Sequence, residues 1–323
     1  MDEGNLPPLG RGRERGVVGG SVLDRSGGAG EDVAMAQVDA NGVVIEFEQL
    51  GDPSDPTLLL VAGLGAQLVS WDDEFCQRFL DRGMSVVRYD NRDVGLSSSM
   101  DDGRDPMGLM MSRLAGDDVV AHYLLDDMAR DAVAVLDAIG VTQAHVAGFS
   151  MGGMIAQSIA IGHPERVLSL TSVMSTTGDP DVGLAEPAVL ARMLAPVPDD
   201  PAEAMEHRLG IGEAVGSPGL FDPDRARRRA EAEMARGGDP MGTVRQLLAI
   251  VSSPSRSEGL RSVQVPALVA HGDVDPLVNV SGGLRTHECL PASELLVFEG
   301  MGHDLPPVFW DPLVDRMAAF ANL

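Results

Sequence analysis

The segment at residues 144–161, AHVAGFSMGGMIAQSIAI, constrains the fold of this chain more than any other stretch. Its first part is apolar and suited to a β-strand, and the apolar residues of its last part recur at helical spacing. Between them lies Gly148-Phe149-Ser150-Met151-Gly152, a G-x-S-x-G pattern. A strand that turns abruptly into a helix strains the backbone at the bend, and flanking glycines let neighbouring backbone come close. The segment therefore predicts a bend that holds the Ser150 hydroxyl above a sheet, at the positive N-terminus of a helix.

The same five residues can also arise as a glycine-rich turn, since the chain contains 38 glycines. The strand pattern before them and the helix pattern after them favour the other interpretation, a turn that presents a nucleophilic serine. In proteins built this way, an acidic residue and then a histidine follow the serine along the chain. The rest of the sequence is therefore expected to supply both residues in that order.

Strand and helix patterns alternate along most of the chain. The strand patterns lie at residues 43–48, 57–61, 84–89, 144–149, 167–174, 267–270 and 294–298. The main helix patterns lie at residues 71–82, 107–114, 124–139 and 312–320 and directly after the G-x-S-x-G turn. Such alternation predicts an α/β protein with a mostly parallel sheet that helices cover on both faces.

Residues 178–252 differ in character, because helical patterns alternate there with Pro and Gly and no strand pattern appears. We interpret this stretch as a helical insertion, a cap over a core formed by residues 35–177 and 253–323. Residues 1–34 are rich in Gly, Arg and Pro and lack the apolar core of a signal peptide, so a disordered extension is expected there. The arginine-rich run at residues 225–229, beside two glutamates, is interpreted as a solvated helix face.

The charge balance argues against several classes of partner. The chain of 323 residues carries a formal net charge of −25, which disfavours binding to nucleic acid and to anionic lipid. No apolar run is long enough to span a membrane. Cys76 and Cys289 are the only cysteines and form no C-x-x-C pattern, so a reducing, cytoplasmic location is expected. The expected partner is a small hydrophobic molecule, and the sequence does not indicate an oligomeric state.

Two loops that follow predicted strands supply the acid and the base. HGDVDP, at residues 271–276, contains Asp275, and GMGHD, at residues 300–304, contains His303. In an open parallel sheet, functional groups gather at the carboxyl ends of the strands, so these loops are expected to meet Ser150. His303 would take the seryl proton, and Asp275 would hold the imidazole tautomer and stabilise the imidazolium. The sequence thus predicts a Ser-His-Asp triad in the chain order Ser, Asp, His.

Alternatives to these assignments remain open from the sequence alone. Asp273 competes for the role of the acid, and Asp179 or Asp181 would be a less usual position for it. His271 is an alternative base, although a structural hydrogen-bonding role is expected for it. The remaining histidines are expected at the surface or at helix ends, and Asp304 is expected to be exposed.

The transition state of acyl transfer needs hydrogen-bond donors for its oxyanion, and the backbone N–H groups of Leu64 and Met151 are the candidates. The insertion is rich in methionine, which suits an adaptable apolar pocket, and Leu194 and Met205 are its candidate substrate-binding residues. Packing between helices is the alternative role for such side chains. No H-E-x-x-H pattern or paired His/Cys cluster is present, so neither a metal nor a cofactor is expected.

Together, these motifs resemble the α/β-hydrolase superfamily over residues 35–323. The matching segments are LVAG at residues 60–63, YDNRDVGLS at 89–97, GFSMGG at 148–153, HGDVD at 271–275 and GH at 302–303. Within the superfamily, the RYDNRDVGLS and GMGHDLP segments are most similar to the aclacinomycin methylesterase-like esterases. Ala62 departs from the pattern, because many relatives have a histidine before the oxyanion-loop glycine. The departure affects a side-chain hydrogen bond at that position and not the backbone donor at Leu64.

The resemblance implies the α/β-hydrolase fold, with a mostly parallel eight-stranded sheet flanked by helices and a helical cap inserted after the sixth strand. Together with the predicted triad, it implies a serine carboxylic-ester hydrolase that forms an acyl-enzyme. The expected substrates are small to medium hydrophobic esters. A cofactor-free perhydrolase or haloperoxidase with the same triad is one alternative. A non-catalytic hydrolase-like ligand-binding protein is another, although the intact serine, aspartate and histidine argue against it.

Overall fold

The computed structural model describes residues 34–193, 195, 197–198 and 200–321. The predicted N-terminal extension lies outside these residues except for Ala34, which begins the first strand. The strands of the described residues are β1 Ala34–Ala40, β2 Val43–Leu50, β3 Thr57–Val61, β4 Ser85–Tyr89, β5 Ala144–Phe149, β6 Val167–Val173, β7 Ala267–Gly272 and β8 Ser293–Phe298. Their helices are α1 Asp73–Leu80, α2 Pro106–Leu114, α3 Leu125–Ala138, α4 Met151–Gly162, α5 Pro187–Met193, α6 Pro201–Val215, α7 Pro223–Arg236, α8 Gly242–Ser252, α9 Ser257–Leu260, α10 Ser281–Cys289 and α11 Trp310–Ala319.

The strands form one eight-stranded sheet in the order β1-β2-β4-β3-β5-β6-β7-β8. β1 pairs antiparallel with β2, and β2 pairs antiparallel with β4. The remaining neighbours are parallel, so β3 to β8 all end at the same edge of the sheet. Every residue of β3 and β4 is buried, as expected for strands covered on both faces. The predicted fold class, a mostly parallel eight-stranded sheet flanked by helices, is confirmed.

Two apolar layers hold helices against the sheet. On one face, residues of α3 and α4 such as Met128 and Ile155 pack against Leu59 of β3. On the other face, residues of α1 and α11 such as Phe79 and Trp310 pack against a second set of strand residues. Burying a large apolar side chain contributes roughly 1.5–3 kcal/mol, so these two layers fix the edge of the sheet where the loops after the strands converge.

β1, α9 and α10 were absent from the sequence prediction. β1 pairs with β2 across the turn at Asn41 and Gly42, where only one hairpin arm was expected. α10 was missed because its sequence, SGGLRTHEC, contains two glycines and few apolar residues. Packing requires one of these glycines, since a Cβ on Gly283 would lie 2.4 Å from Nδ1 of His271. At this site glycine lowers the helix propensity of the sequence but allows α10 to pack closely against β7.

The insertion at residues 178–252 follows β6 and contains helices α5 to α8, and its described residues form no strand. The arginine-rich run in α7 is not a uniformly solvated face. Arg225 lies 4.5 Å above the Trp310 ring and pairs with Asp72 at 2.6 Å, and Glu233 is buried. The expectation was wrong for these residues because α7 packs against the core at the N-terminus of α11.

Buried ion pairs tie the insertion to the core. Arg245 of α8 is 2% exposed and contacts Asp93, which is itself inaccessible, at 2.6 Å. The same carboxylate accepts a hydrogen bond from the Tyr123 hydroxyl at 2.6 Å. Arg236 of α7 reaches Asp90 in the same segment of the core. The charged segment directly after β4, which contains Asp90 and Asp93, thus holds the insertion against the core.

We expect Arg245→Leu to lower the free energy of unfolding by about 3–5 kcal/mol, because it leaves a buried carboxylate without its cationic partner. Arg227→Leu is the matched control, since its pair with Glu206 is exposed and is worth at most about 1 kcal/mol. Urea denaturation of the two variants checks the difference. Equal losses in both variants would contradict the anchoring role of Arg245.

Candidate active site

Ser150 lies at the bend between β5 and α4, with φ 53° and ψ −120°. L-residues rarely adopt this region, so the surrounding structure must hold the serine in place. A Cβ on Gly148 would lie 2.0 Å from the carbonyl oxygen of Gly152, and a Cβ on Gly152 would lie 2.0 Å from that of Val61. No side chain fits at either position. The strand–turn–helix predicted from the G-x-S-x-G pattern is therefore present, and both of its glycines are sterically required.

The structure brings together the three residues that the sequence analysis selected. Nε2 of His303 lies 2.9 Å from Oγ of Ser150. Nδ1 of the same ring lies 2.7 Å from Oδ2 of Asp275. When Nδ1–H donates to the carboxylate, Nε2 carries a lone pair directed at the seryl hydroxyl. This arrangement can take a proton from the serine and stabilise the resulting imidazolium.

Asp275 is 3% exposed. Its Oδ1 accepts hydrogen bonds from the backbone N–H groups of Leu277 at 2.9 Å and Val278 at 2.8 Å. Burial opposes its ionisation, but the neighbouring His303, the His271 side chain and the hydrogen bond from the Val278 N–H hold the pKa of Asp275 below its ordinary value. The carboxylate is therefore charged and fixed in orientation. By contrast, Asp273 is exposed and accepts a hydrogen bond from the backbone N–H of Gly300.

The other candidates for the acid and the base have different partners from the Ser150 hydroxyl. His271 is buried, and its Nε2 bonds to the carbonyl oxygen of Val278 at 2.7 Å and lies 3.4 Å from Oδ2 of Asp275, in line with a structural role beside the acid. Asp179 pairs with Arg285 at 2.7 Å, and Asp181 pairs with the same guanidinium at 3.1 Å. These contacts make both aspartates partners of α10.

The insertion holds the loop that carries His303. The backbone N–H of His303 donates to the carbonyl oxygen of Val215 at 2.7 Å, and that of Gly302 donates to Oγ of Ser217 at 3.0 Å. Asp304 accepts a hydrogen bond from the backbone N–H of Ser217 at 2.9 Å. Burial raises the pKa of Asp304. The expectation that this residue is exposed was wrong, because the end of α6 covers it.

Two other histidines also differ from expectation. His145 is buried and bonds through Nδ1 to Oγ of Ser169 at 2.8 Å, and burial lowers its pKa. The His122 side chain is 1% exposed and lies 3.2 Å from Asp102. Neither is a surface or capping residue, since tertiary packing encloses both rings.

The loop after β3 passes beside the nucleophile. A Cβ on Gly63 would lie 3.5 Å from the Cβ of Ser150. The next residue, Leu64, has a backbone N–H with no acceptor among the described residues. Met151 is the first residue of α4, where a backbone N–H has no partner within the helix. Two unpaired donors therefore lie in the segments that flank the seryl oxygen, and their role as an oxyanion hole stays a prediction.

The two candidate substrate-binding residues, Leu194 and Met205, belong to the insertion. Leu194 lies outside the described residues. Met205, on α6, is 8% exposed and packs with Leu209 and Ala230 between α6 and α7. This contact corresponds to the helix-packing alternative, and a role for Met205 in substrate binding stays a prediction. The described residues contain no group of three or more His, Cys, Asp or Glu able to hold a metal ion.

Comparisons with known proteins identify the family of this chain. The alpha/beta hydrolase fold family matches residues 56–308, so the chain belongs to the α/β hydrolase family. Rhodomycin D methylesterase DnrP of Streptomyces peucetius is 31% identical over 297 residues, covering 86% of this chain and 94% of the relative. The corresponding methylesterase DauP of Streptomyces sp. strain C5 matches over the same shares at the same identity. The resemblance to methylesterase-like esterases and the class of carboxylic ester hydrolase are thereby confirmed.

Solved structures show the same fold. The 2-hydroxy-6-oxo-6-phenylhexa-2,4-dienoate hydrolase of Rhodococcus sp. strain RHA1 superposes with a TM-score of 0.69, at 20% identity, over 91% of this chain and all of the other. The esterase RhEst1 of Rhodococcus sp. ECU1013 superposes with a TM-score of 0.66, at 22% identity, over 90% and 98%. At these identities the likeness concerns the fold. Among the described helices, none combines the length and apolar character needed to cross a bilayer.

Proposed function

We propose that this protein is a serine esterase that hydrolyses small to medium hydrophobic esters through an acyl-enzyme on Ser150. One observation carries the proposal, the continuous chain of hydrogen bonds from Asp275 through His303 to Ser150. The two relatives named methylesterases support an ester as the substrate. The strained backbone of Ser150 supports its role as the nucleophile, because such strain concentrates at functional sites.

The reaction follows from the roles of these side chains. Nε2 of His303 accepts the seryl proton as Oγ of Ser150 attacks the ester carbonyl carbon. The negative charge that develops on the carbonyl oxygen is stabilised by the backbone N–H groups of Leu64 and Met151. The imidazolium, paired with Asp275, then donates its proton to the departing alkoxide, which leaves as the alcohol. Water attacks the acyl-enzyme by the same route, releases the carboxylic acid and restores the serine.

A panel of p-nitrophenyl esters of graded acyl length, extended with simple methyl esters, tests the proposed activity. We expect hydrolysis without added cofactor or metal, and its loss in Ser150→Ala. Activity that needs peroxide and produces halogenation would favour a perhydrolase or haloperoxidase, which uses the same residues. Specific binding of an ester without turnover would favour a non-catalytic ligand-binding protein.

We further propose that the insertion sets the preference for the acyl group. It follows β6 and so extends from the sheet edge that bears the candidate triad. Leu194→Ala and Met205→Ala are expected to shift kcat/KM for octanoate relative to acetate by about 1–3 kcal/mol, the usual discrimination of an apolar pocket. The acetate ester is the internal control, because it would touch little of the insertion. Kinetics on acetate, butyrate and octanoate esters measure the shift.

A uniform loss on all three esters would contradict this role of the insertion. For Met205→Ala, urea denaturation separates the two roles of the side chain. If Met205 only packs between α6 and α7, the variant should lose about 2–5 kcal/mol of its free energy of unfolding, the usual cost at a core site, and its acyl preference should not change.

A further inference from the structure

A glutamine of the insertion bonds directly to the loop after β3. Gln246 of α8 is fully buried. Its Oε1 accepts a hydrogen bond from the backbone N–H of Gly65 at 2.8 Å, and its Nε2 donates to the carbonyl oxygen of Arg92 at 2.8 Å. Thr243, one turn earlier, touches the same loop, since a Cβ on Gly65 would lie 2.9 Å from its Oγ1. α8 therefore packs closely against the loop, and both the oxygen and the nitrogen of the Gln246 side-chain amide are hydrogen-bonded.

One hydrogen bond within the loop and one bond to Gln246 fix the two peptide groups on either side of Leu64. The backbone N–H of Ala66 donates to the carbonyl oxygen of Gly63 at 3.2 Å, and this carbonyl belongs to the same peptide group as the Leu64 N–H. The next peptide group contains the Gly65 N–H, which Gln246 holds. Because peptide groups are planar, fixing both leaves the Leu64 N–H little freedom to turn. Gly65 has φ +68°, a conformation that the bond to Gln246 helps to maintain.

We propose that Gln246 is a positioning residue of the oxyanion hole, which aims the Leu64 N–H at the carbonyl oxygen of the substrate. The proposal rests on the serine esterase function proposed above. It makes the insertion a contributor to the chemistry as well as to substrate choice. α8 is suited to this task because the buried pair of Arg245 and Asp93 fixes its position. Donors that are already in place when charge develops are worth most in catalysis.

Gln246→Met removes both hydrogen bonds while keeping the length of the side chain. We expect kcat to fall about 10- to 100-fold with KM little changed, because small misplacements of catalytic groups have effects of this order. Gln246→Glu keeps an acceptor for the Gly65 N–H and is expected to recover part of the loss. Gln157→Met is the matched control. Gln157 is also fully buried and bonded on both sides, to Ser172 and Arg256, but it does not bond to this loop.

The deciding readout is the ratio of kcat/KM for an ester to that for the matched thionoester, in which sulfur replaces the carbonyl oxygen. Sulfur accepts hydrogen bonds weakly, so the ratio reports the contribution of the oxyanion donors. We expect the ratio to fall about tenfold in Gln246→Met, to recover partly in Gln246→Glu and to stay unchanged in Gln157→Met.

Equal losses on ester and thionoester in both Gln246 variants would show a purely structural role and overturn the proposal. So would an unchanged kcat in Gln246→Met, or an equal fall of the ratio in Gln157→Met. Failure of the esterase function itself is distinguishable, because the wild-type protein would then hydrolyse neither substrate.

Discussion

Replacing Ser150 by alanine is expected to lower kcat for ester hydrolysis by about a million-fold, the loss seen when a triad nucleophile is removed. The hydroxyl that bonds to Nε2 of His303 at 2.9 Å is the only group lost. The free energy of unfolding should change little, since Ser150 is partly exposed and its φ of 53° stays unchanged by the substitution. Steady-state kinetics on a p-nitrophenyl ester and urea denaturation measure the two effects.

Ser158→Ala provides the matched control for Ser150→Ala, because Ser158 is a buried serine two turns further along the same helix. Its kcat is expected to stay within a few-fold of the wild-type value. Substantial hydrolysis by Ser150→Ala, above that of a heat-denatured sample, would remove Ser150 from the role of the nucleophile.

The second large effect is expected at Asp275. Asp275→Asn should lower kcat by about 10²- to 10⁴-fold, because the amide can donate to Nδ1 of His303 and stabilise the tautomer whose Nε2 is protonated. Such a ring cannot accept the seryl proton. The substitution also replaces a carboxylate that is buried and charged, so its effect on stability is measured alongside.

Asp273→Asn is the control for this substitution, two residues away in the same loop. Asp273 is exposed, and the hydrogen bond that it accepts from the Gly300 N–H survives in an amide. Its kcat should stay close to the wild-type value, about a hundred-fold or more above that of Asp275→Asn. If Asp273→Asn were the inactive variant, the assignment of the acid would be wrong.

The parts of the structure that could be predicted are those set by local sequence. β3 was predicted at its observed bounds, because a run of five residues between turn residues, four of them apolar, is typical of a buried strand. The bend at Ser150 was predicted because two glycines without room for a Cβ leave a recognisable pattern. His303 and Asp275 were predicted because each follows a strand in a fold whose functional groups gather at the strand ends.

The parts that could not be predicted depend on contacts between distant residues. Gln246 contacts Gly65 across 181 residues of sequence, and Ser217 contacts Asp304 across 87. Neither Gln246 nor Ser217 belongs to a sequence motif that would predict its contact, because glutamine is common in helices and serine is common near their ends. The charged run after β4 was used only as part of the resemblance to a family. Its several aspartates and arginines, directly after a buried strand, could have indicated buried ion pairs. A polar group that tertiary structure buries must find partners, and these partners hold the insertion in place.

Labelling with a fluorophosphonate tests the central claim most directly, since the reagent bonds covalently to an activated serine. The account predicts one label per chain, located by peptide mass spectrometry on Ser150, with ester hydrolysis lost in proportion to labelling. Ser150→Ala should take up no label. Full inactivation with the label on another residue, or ester hydrolysis that survives complete labelling of Ser150, would contradict the claim that this serine forms the acyl-enzyme.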